Sequence, residues 1–154
     1  MEVADLLTPG AIRVCNAVKS KKRLFQDLAE IAAAAHDIDE AIAVDALQER
    51  ESLGPTGVGH GVALPHARID GIDSVRGVFV RLDRPLDYGS VDRAPVDLVF
   101  ALFAPVDAGV EHLKALALIS RTLRDPAVCA KLRANEEPDA LFGILTETTD
   151  TKAA

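Results

Sequence analysis

Histidine is the scarce chemical resource of this sequence, with four in 154 residues, and one of them sits where a reactive group would. His66 lies in GVGHGVALPHARIDG, behind a glycine-rich run and directly after Pro65. Proline fixes its own φ, and glycines let a ligand approach the backbone closely. Exposed N–H groups of such a loop can receive phosphate oxygens. Gly57, Gly59 and Gly61 are therefore candidates for a phosphate loop, and Arg68 adds a cation two residues beyond His66. A neutral imidazole, with an ordinary pKa near ~6.5, is largely unprotonated at neutral pH and can act as a nucleophile without a dedicated base. The chemistry these residues suggest is acceptance of a phosphoryl group by His66. The alternative is a loop histidine that only hydrogen-bonds a carbonyl.

Phosphoryl transfer needs several donors around three equatorial oxygens. His112, next to Glu111, falls early in a predicted helix, where a histidine donor and the favourable end of the helix dipole would act together. Arg50 would supply a bidentate fork to the same group. Read alone, His112 is a helix-face residue, and Arg50 a cation at the C-terminus of a helix. His36 reads as a solvated helix-end residue. His60 would complete a three-histidine zinc site with His66 and His112. Its spacing to His66 is not a helical i, i+4 pair, and no HExxH pattern occurs, so neither a metal nor a cofactor is expected.

The elements that must position these residues are readable in outline. Residues 1–14 form a lead-in with one helical turn near Ala4–Leu7. Ser20 caps a helix over KKRLFQDLAEIAAAA, whose Leu24, Leu28, Ile31, Ala32 and Ala35 share a face. Three cations in its first turn oppose the helix dipole, a local conflict of the kind that can mark a docking surface. Asp39 caps a second helix over roughly 39–52, and GPTGVGHG, residues 54–61, reads as a loop. Val62–Leu64 is a short strand stopped by Pro65. Val75–Leu82 alternates as a strand, and the apolar run Val96–Phe103 suits a strand buried on both faces. DRPLDYGS between them is turn chemistry. Helices follow from about Val110 to Leu123, from Asp125–Pro126 to Ala134, and over Pro138–Leu145, and residues 147–154 are expected to fray. The alternation predicts one α/β domain over 1–154, a sandwich of helices around a mixed β-sheet.

Composition bounds the partners. Seventeen basic against 24 acidic residues give a net charge of −7, which opposes non-specific binding to nucleic acid or to an anionic membrane and suits a basic protein partner. Tryptophan is absent and aromatics make up 4%, so there is no stacking platform for bases. Apolar residues at 49% suffice for a core of Leu, Val, Ile and Ala. The longest apolar runs, around Val96–Pro105, fall well short of the roughly 20 residues a spanning helix needs, and no stretch resembles a signal peptide. Cys15 and Cys129 lack metal-type spacing and suggest no disulfide framework. A soluble cytoplasmic protein with no membrane insertion is expected.

The run ALQERESLGPTGVGHGVALPHARIDGI, followed by PVDLVFALFAP and EHLKALALISRTLRD, resembles the fructose/mannitol-type enzyme IIA domains of the bacterial phosphoenolpyruvate-dependent sugar phosphotransferase system. The likeness runs from about Ala4 to Glu147. By position it implies that His66 in LPHAR is the phosphorylated histidine, that His112 in EHL orients and stabilises the phosphoryl group, and that Arg50 in ERE lies beside it. His60 falls where the family commonly has a polar residue such as asparagine. Within the family the chain is most similar to the nitrogen-regulatory branch, through the lead-in VCNAVKSKKRLFQDLAEIAAAAHDID and through the absence here of a IIB domain with a phosphorylatable cysteine or of a membrane-spanning IIC part. That resemblance implies a small histidine-containing phosphocarrier protein as donor. It implies a regulatory target, such as a potassium transporter or a sensor kinase, as recipient of the signal. The alternative within the family is a sugar-uptake IIA subunit serving a separate IIB protein.

Overall fold

The computed structural model describes the backbone of residues 1–153 and the side chains of residues 1–147. In chain order the elements are α1 (Val3–Leu6), a 3-10 turn (Pro9–Ala11), β1 (Ile12–Cys15), α2 (Lys21–His36), α3 (Glu40–Ser52), β2 (Gly57–Gly59), β3 (Val62–Ala63), β4 (His66–Ile69), β5 (Arg76–Leu86), β6 (Val96–Pro105), α4 (Gly109–Arg124), α5 (Pro126–Arg133) and α6 (Pro138–Ala153). The expected mixed sheet with flanking helices is present.

β6 organises the sheet. Val96 and Leu98–Ala104 are each fully buried, as a strand covered on both faces must be. It pairs antiparallel with β5 through Phe79↔Phe100 and Val80↔Val99, and β5 in turn takes β1 as a parallel neighbour. Along its other edge β6 carries β3 and then β4, both parallel to it, with β2 folded back on β3 as a hairpin. One helix group, α2 on α3, packs against β5 and β4; the other, α4 to α6, lies against β6 and β1. Each large side chain buried between them, such as Leu28, Phe79 or Leu102, stabilises the fold by about 1.5–3 kcal/mol.

Local sequence explains the helix starts. Ser20 accepts from the Arg23 amide, Asp39 from Ile42 and Asp125 from Ala127, with Pro126 at the first helical position. Two of the three cations opening α2 have carboxylate partners: Lys21 meets Glu51 at 2.9 Å, and Arg23 meets Asp27 at 3.1 Å.

Several boundaries differ from the sequence expectation. The lead-in contains a real strand, β1, whose four residues carry too little pattern of their own and are fixed by pairing with β5. Pro65 interrupts the edge rather than ending it. Lacking an N–H, it cannot donate to the ladder, yet its carbonyl accepts from the Leu102 amide, and the chain resumes as β4. The 54–61 run holds the short strand β2 rather than loop throughout. β5 continues past Leu82 to Leu86 across a register shift. α6 continues past Leu145 to Ala153; the side chains after Glu147, and the expected fraying with them, lie outside the described residues. His36 is half-buried rather than solvated, its Nε2–H donating to the Gly77 carbonyl at 2.8 Å and stapling α2 to β5. Among the described residues, no helix is long and apolar enough to cross a membrane.

Candidate functional site

His66 is the first residue of β4, not part of a loop, and its place is set by the residues before it. The Leu64 amide donates to Thr56 O at 2.9 Å and the Pro65 carbonyl receives Leu102 N–H at 3.0 Å. Between these anchors the imidazole turns back on its own chain, and Nδ1 lies 2.8 Å from the Leu64 carbonyl. A carbonyl only accepts, so Nδ1 carries the proton and the lone pair is left on Nε2.

Three further side chains of the expected set share a cleft with His66. The C-terminal turn of α3 brings Arg50, whose Nε donates to His66 Nε2 at 3.3 Å while its Nη1 donates to the Gly54 carbonyl at 3.1 Å. The first turn of α4 brings His112, its ring edge-on to His66 with centroids 5.5 Å apart. Arg68, two residues along β4, donates from Nε to His112 Nδ1 at 3.4 Å. That contact fixes the second tautomer: His112 accepts on Nδ1 and must carry its proton on Nε2, which is buried and has no hydrogen-bond partner. An orphaned buried donor costs about 1–3 kcal/mol. A donor kept unpaired at that cost is suited to a group that arrives later. The four side chains line one open cleft of about 470 Å³, together with Ala46, Glu49, Leu53 and Ala67.

The electrostatics keep both rings neutral. Burial, then the Arg50 charge, holds the His66 pKa below its ordinary value. Burial, then His66 and Arg68, pushes His112 down to about 4. His36 is lowered as well, chiefly by burial. For all three the unfolded chain binds protons before the folded one as pH falls. Their contribution to stability is therefore complete above pH 6.5 and is lost progressively from there towards about 4. The urea midpoint should fall over that window, and His112→Gln should flatten the dependence. A midpoint independent of pH between these limits would contradict the assignment of neutral, buried histidines.

The glycine-rich run does something other than expected. Gly57, Gly59 and Gly61 do not line the His66 cleft; they build the β2–β3 hairpin. Gly59 and Gly61 take φ of +100° and +80°, and a Cβ at Gly61 would meet the Arg133 guanidinium and Asp97. At Gly57 it would run into Ser90. These glycines serve close packing and a tight turn. His60, at φ +57° in the same turn, lines a separate groove of about 750 Å³ with Arg124, Cys129 and Arg133. It is not brought to His66 and His112.

Sequence reasoning missed the Leu64 carbonyl, which sets the His66 tautomer, and a cluster around Glu51 made of Lys21, Thr56 and Tyr88. The only trace of the cluster was the unfavourable run of cations opening α2.

Comparison with known proteins shows the family. Residues 5–148 match the family described as phosphoenolpyruvate-dependent sugar phosphotransferase system, EIIA 2. The chain belongs to that family. As an EIIA domain it is a phosphoryl-transfer protein. It is 45% identical to a nitrogen regulatory protein of Bradyrhizobium diazoefficiens over 153 residues, covering 99% of this chain and 100% of the relative. It is 38% identical to the nitrogen regulatory protein of Escherichia coli, covering 98% and 93%. The crystal structure of nitrogen regulatory protein IIA-Ntr from Neisseria meningitidis superposes with a TM-score of 0.86 at 32% identity, covering 94% of this chain and 99% of that one.

Proposed function

We propose that His66 accepts a phosphoryl group on Nε2 from a small histidine-containing phosphocarrier protein, and that its phosphorylation state tunes a regulatory partner. The observation that carries this reading is the tautomer pair: a lone pair on His66 Nε2 facing the cleft, with an unpaired N–H on His112 and the Arg50 fork beside it.

The step balances with groups already present. The His66 Nε2 lone pair forms the new N–P bond, the donor's N–P bond breaks, and its electron pair stays on the donor imidazole. Arg50 Nε exchanges the imidazole for a phosphoryl oxygen, and His112 Nε2–H takes another. The phosphorylated ring, still carrying Nδ1–H, gains positive character that the Leu64 carbonyl stabilises. Positioning and charge complementarity are the whole of the catalysis required.

The rim of the cleft is shaped for another protein rather than for an enclosed metabolite. Leu53, which lines the cleft, is 81% exposed, and α4 leaves Val110 (64%) and Leu113 (67%) in solvent close to His112 in sequence, apolar surface that partner docking would cover. A donor and a recipient can use such a surface in turn.

The regulatory output rests on the likeness to nitrogen regulatory proteins along nearly the full chain. A potassium transporter or a sensor kinase is the kind of target expected. Incubation with phosphoenolpyruvate, enzyme I and the phosphocarrier should add one acid-labile, base-stable phosphate. Addition of a fructose- or mannitol-type IIB protein should then leave that phosphate in place. Its rapid loss to IIB would favour sugar uptake instead, and no uptake at all would refute the carrier reading.

A further inference from the structure

Next to Arg50 in the chain, the Glu51 carboxylate is met by three residues, Lys21, Thr56 and Tyr88. Glu51 receives Lys21 Nζ at 2.9 Å and the Thr56 amide at 3.0 Å on Oε2. On Oε1 it receives the Thr56 hydroxyl at 2.5 Å and the Tyr88 hydroxyl at 3.2 Å. The Tyr88 proton is shared with Thr56 Oγ1, 2.8 Å away, and the Lys21 ammonium stands 4.2 Å over the Tyr88 ring. The Glu51 side chain is 8% exposed. Thr56 and Tyr88 are buried at 5% and 1%. Such a cluster is more than the end of a helix needs.

We propose that Glu51, clamped by Lys21, Thr56 and Tyr88, is a positioning residue that aims the Arg50 guanidinium at His66. The inference rests on His66 being the phosphoryl acceptor and goes beyond it by assigning a duty to residues that touch neither ring. Its geometry is a closed chain of contacts. Glu51 bonds across the 52–55 turn to Thr56, so the turn cannot open without breaking a buried carboxylate's bonds. The Gly54 carbonyl sits inside that turn and holds Arg50 Nη1 at 3.1 Å. A planar fork held at Nη1 has little freedom left at Nε, which then reaches His66 Nε2 at 3.3 Å. Lys21 and Tyr88 tie the same carboxylate to the start of α2 and to the β5–β6 connection. The cations that oppose the α2 dipole thereby acquire a reason: Lys21 is placed there for Glu51. Burial works against the Glu51 charge, but the Thr56 and Lys21 bonds outweigh it and keep its pKa below the ordinary value.

A carboxamide in place of the carboxylate would turn an N–H₂ towards donors that need an acceptor. Glu51→Gln should therefore slow phosphoryl uptake from the purified phosphocarrier by roughly tenfold to a hundredfold, the scale set by small misplacements of a catalytic group. The diagnostic readout is the His66 titration, followed by long-range 1H–15N spectra of the imidazole. Loss of the Glu51 charge by itself lowers the His66 pKa, whereas release of Arg50 raises it, so the pKa change on Glu51→Gln should be more positive in the wild type than in the Arg50→Ala background. In the Arg50→Ala background, Glu51→Gln should then add little further loss, because the two act as one unit. Lys21→Met should show a weaker version of both effects, and Lys21→Arg should recover much of the loss. The Lys21 pair carries the test if Glu51→Gln does not fold. An equal His66 pKa change in the two backgrounds together with unchanged uptake would overturn the proposal, and so would losses of rate that simply add in the double variant. If the wild type takes up no phosphate, the carrier reading fails while the His66 titration still reports on Glu51, so the two failures are separable.

Discussion

His66→Ala should take up no phosphate from the phosphocarrier, while its circular dichroism and urea midpoint stay close to those of the wild type. The remaining histidines are placed differently. The His112 lone pair is on Nδ1, where Arg68 covers it at 3.4 Å, and its Nε2 carries the proton. His60 and His36 lie elsewhere, one in the β2–β3 turn and one bonded to Gly77. The structural cost is modest, because His66 makes two hydrogen bonds, to the Leu64 carbonyl and from Arg50 Nε, each worth about 1 kcal/mol. The core around Leu98–Phe103 does not depend on it. Labelling of the variant at the wild-type rate would mean that the cleft has been misread.

His112→Ala should still accept phosphate, but at a rate lower by roughly 10²–10³-fold, as for removal of one preorganised donor from a developing anion. The loss should fall on the transfer rate more than on affinity for the donor protein, since His112 is 6% exposed and offers a docking partner little surface. His112→Gln keeps an N–H in about the same place and should recover part of the rate. Equal activity of His112→Ala and wild type would show that the unpaired Nε2–H has no part in transfer. Stability need not suffer in proportion, because the wild-type donor is already buried without a partner.

The legible part of this molecule was the part written in local signals. Ser20, Asp39 and Asp125 announced helix starts, and the unbroken apolar run of β6 announced a strand buried on both faces. His66, Arg50, His112 and Arg68 were singled out by residue type and by family resemblance, and the fold gathers them into one cleft. What stayed hidden was decided by contacts between distant segments. β1 has only four residues and exists through its pairing with β5. The glycines 57, 59 and 61 looked like a phosphate cradle because glycine permits both close ligand approach and close packing. Only the positions of Ser90, Asp97 and Arg133 show that packing is the reason for two of them. Pro65 looked like a strand terminator, since the sequence could not show that β6 would carry the chain on the far side as β4. Glu51 gave no sign at all, because its meaning depends on Lys21, 30 residues earlier, and Tyr88, 37 residues later.

The phosphoryl group should sit on His66 Nε2, with Nδ1–H held by the Leu64 carbonyl. Long-range 1H–15N correlation spectra of the phosphorylated protein read this directly. A phosphorus–nitrogen coupling is expected at His66 Nε2, with a protonated Nδ1 and His112 unmodified and neutral. A phosphate on Nδ1 of His66, on His112 or on any other side chain would contradict it.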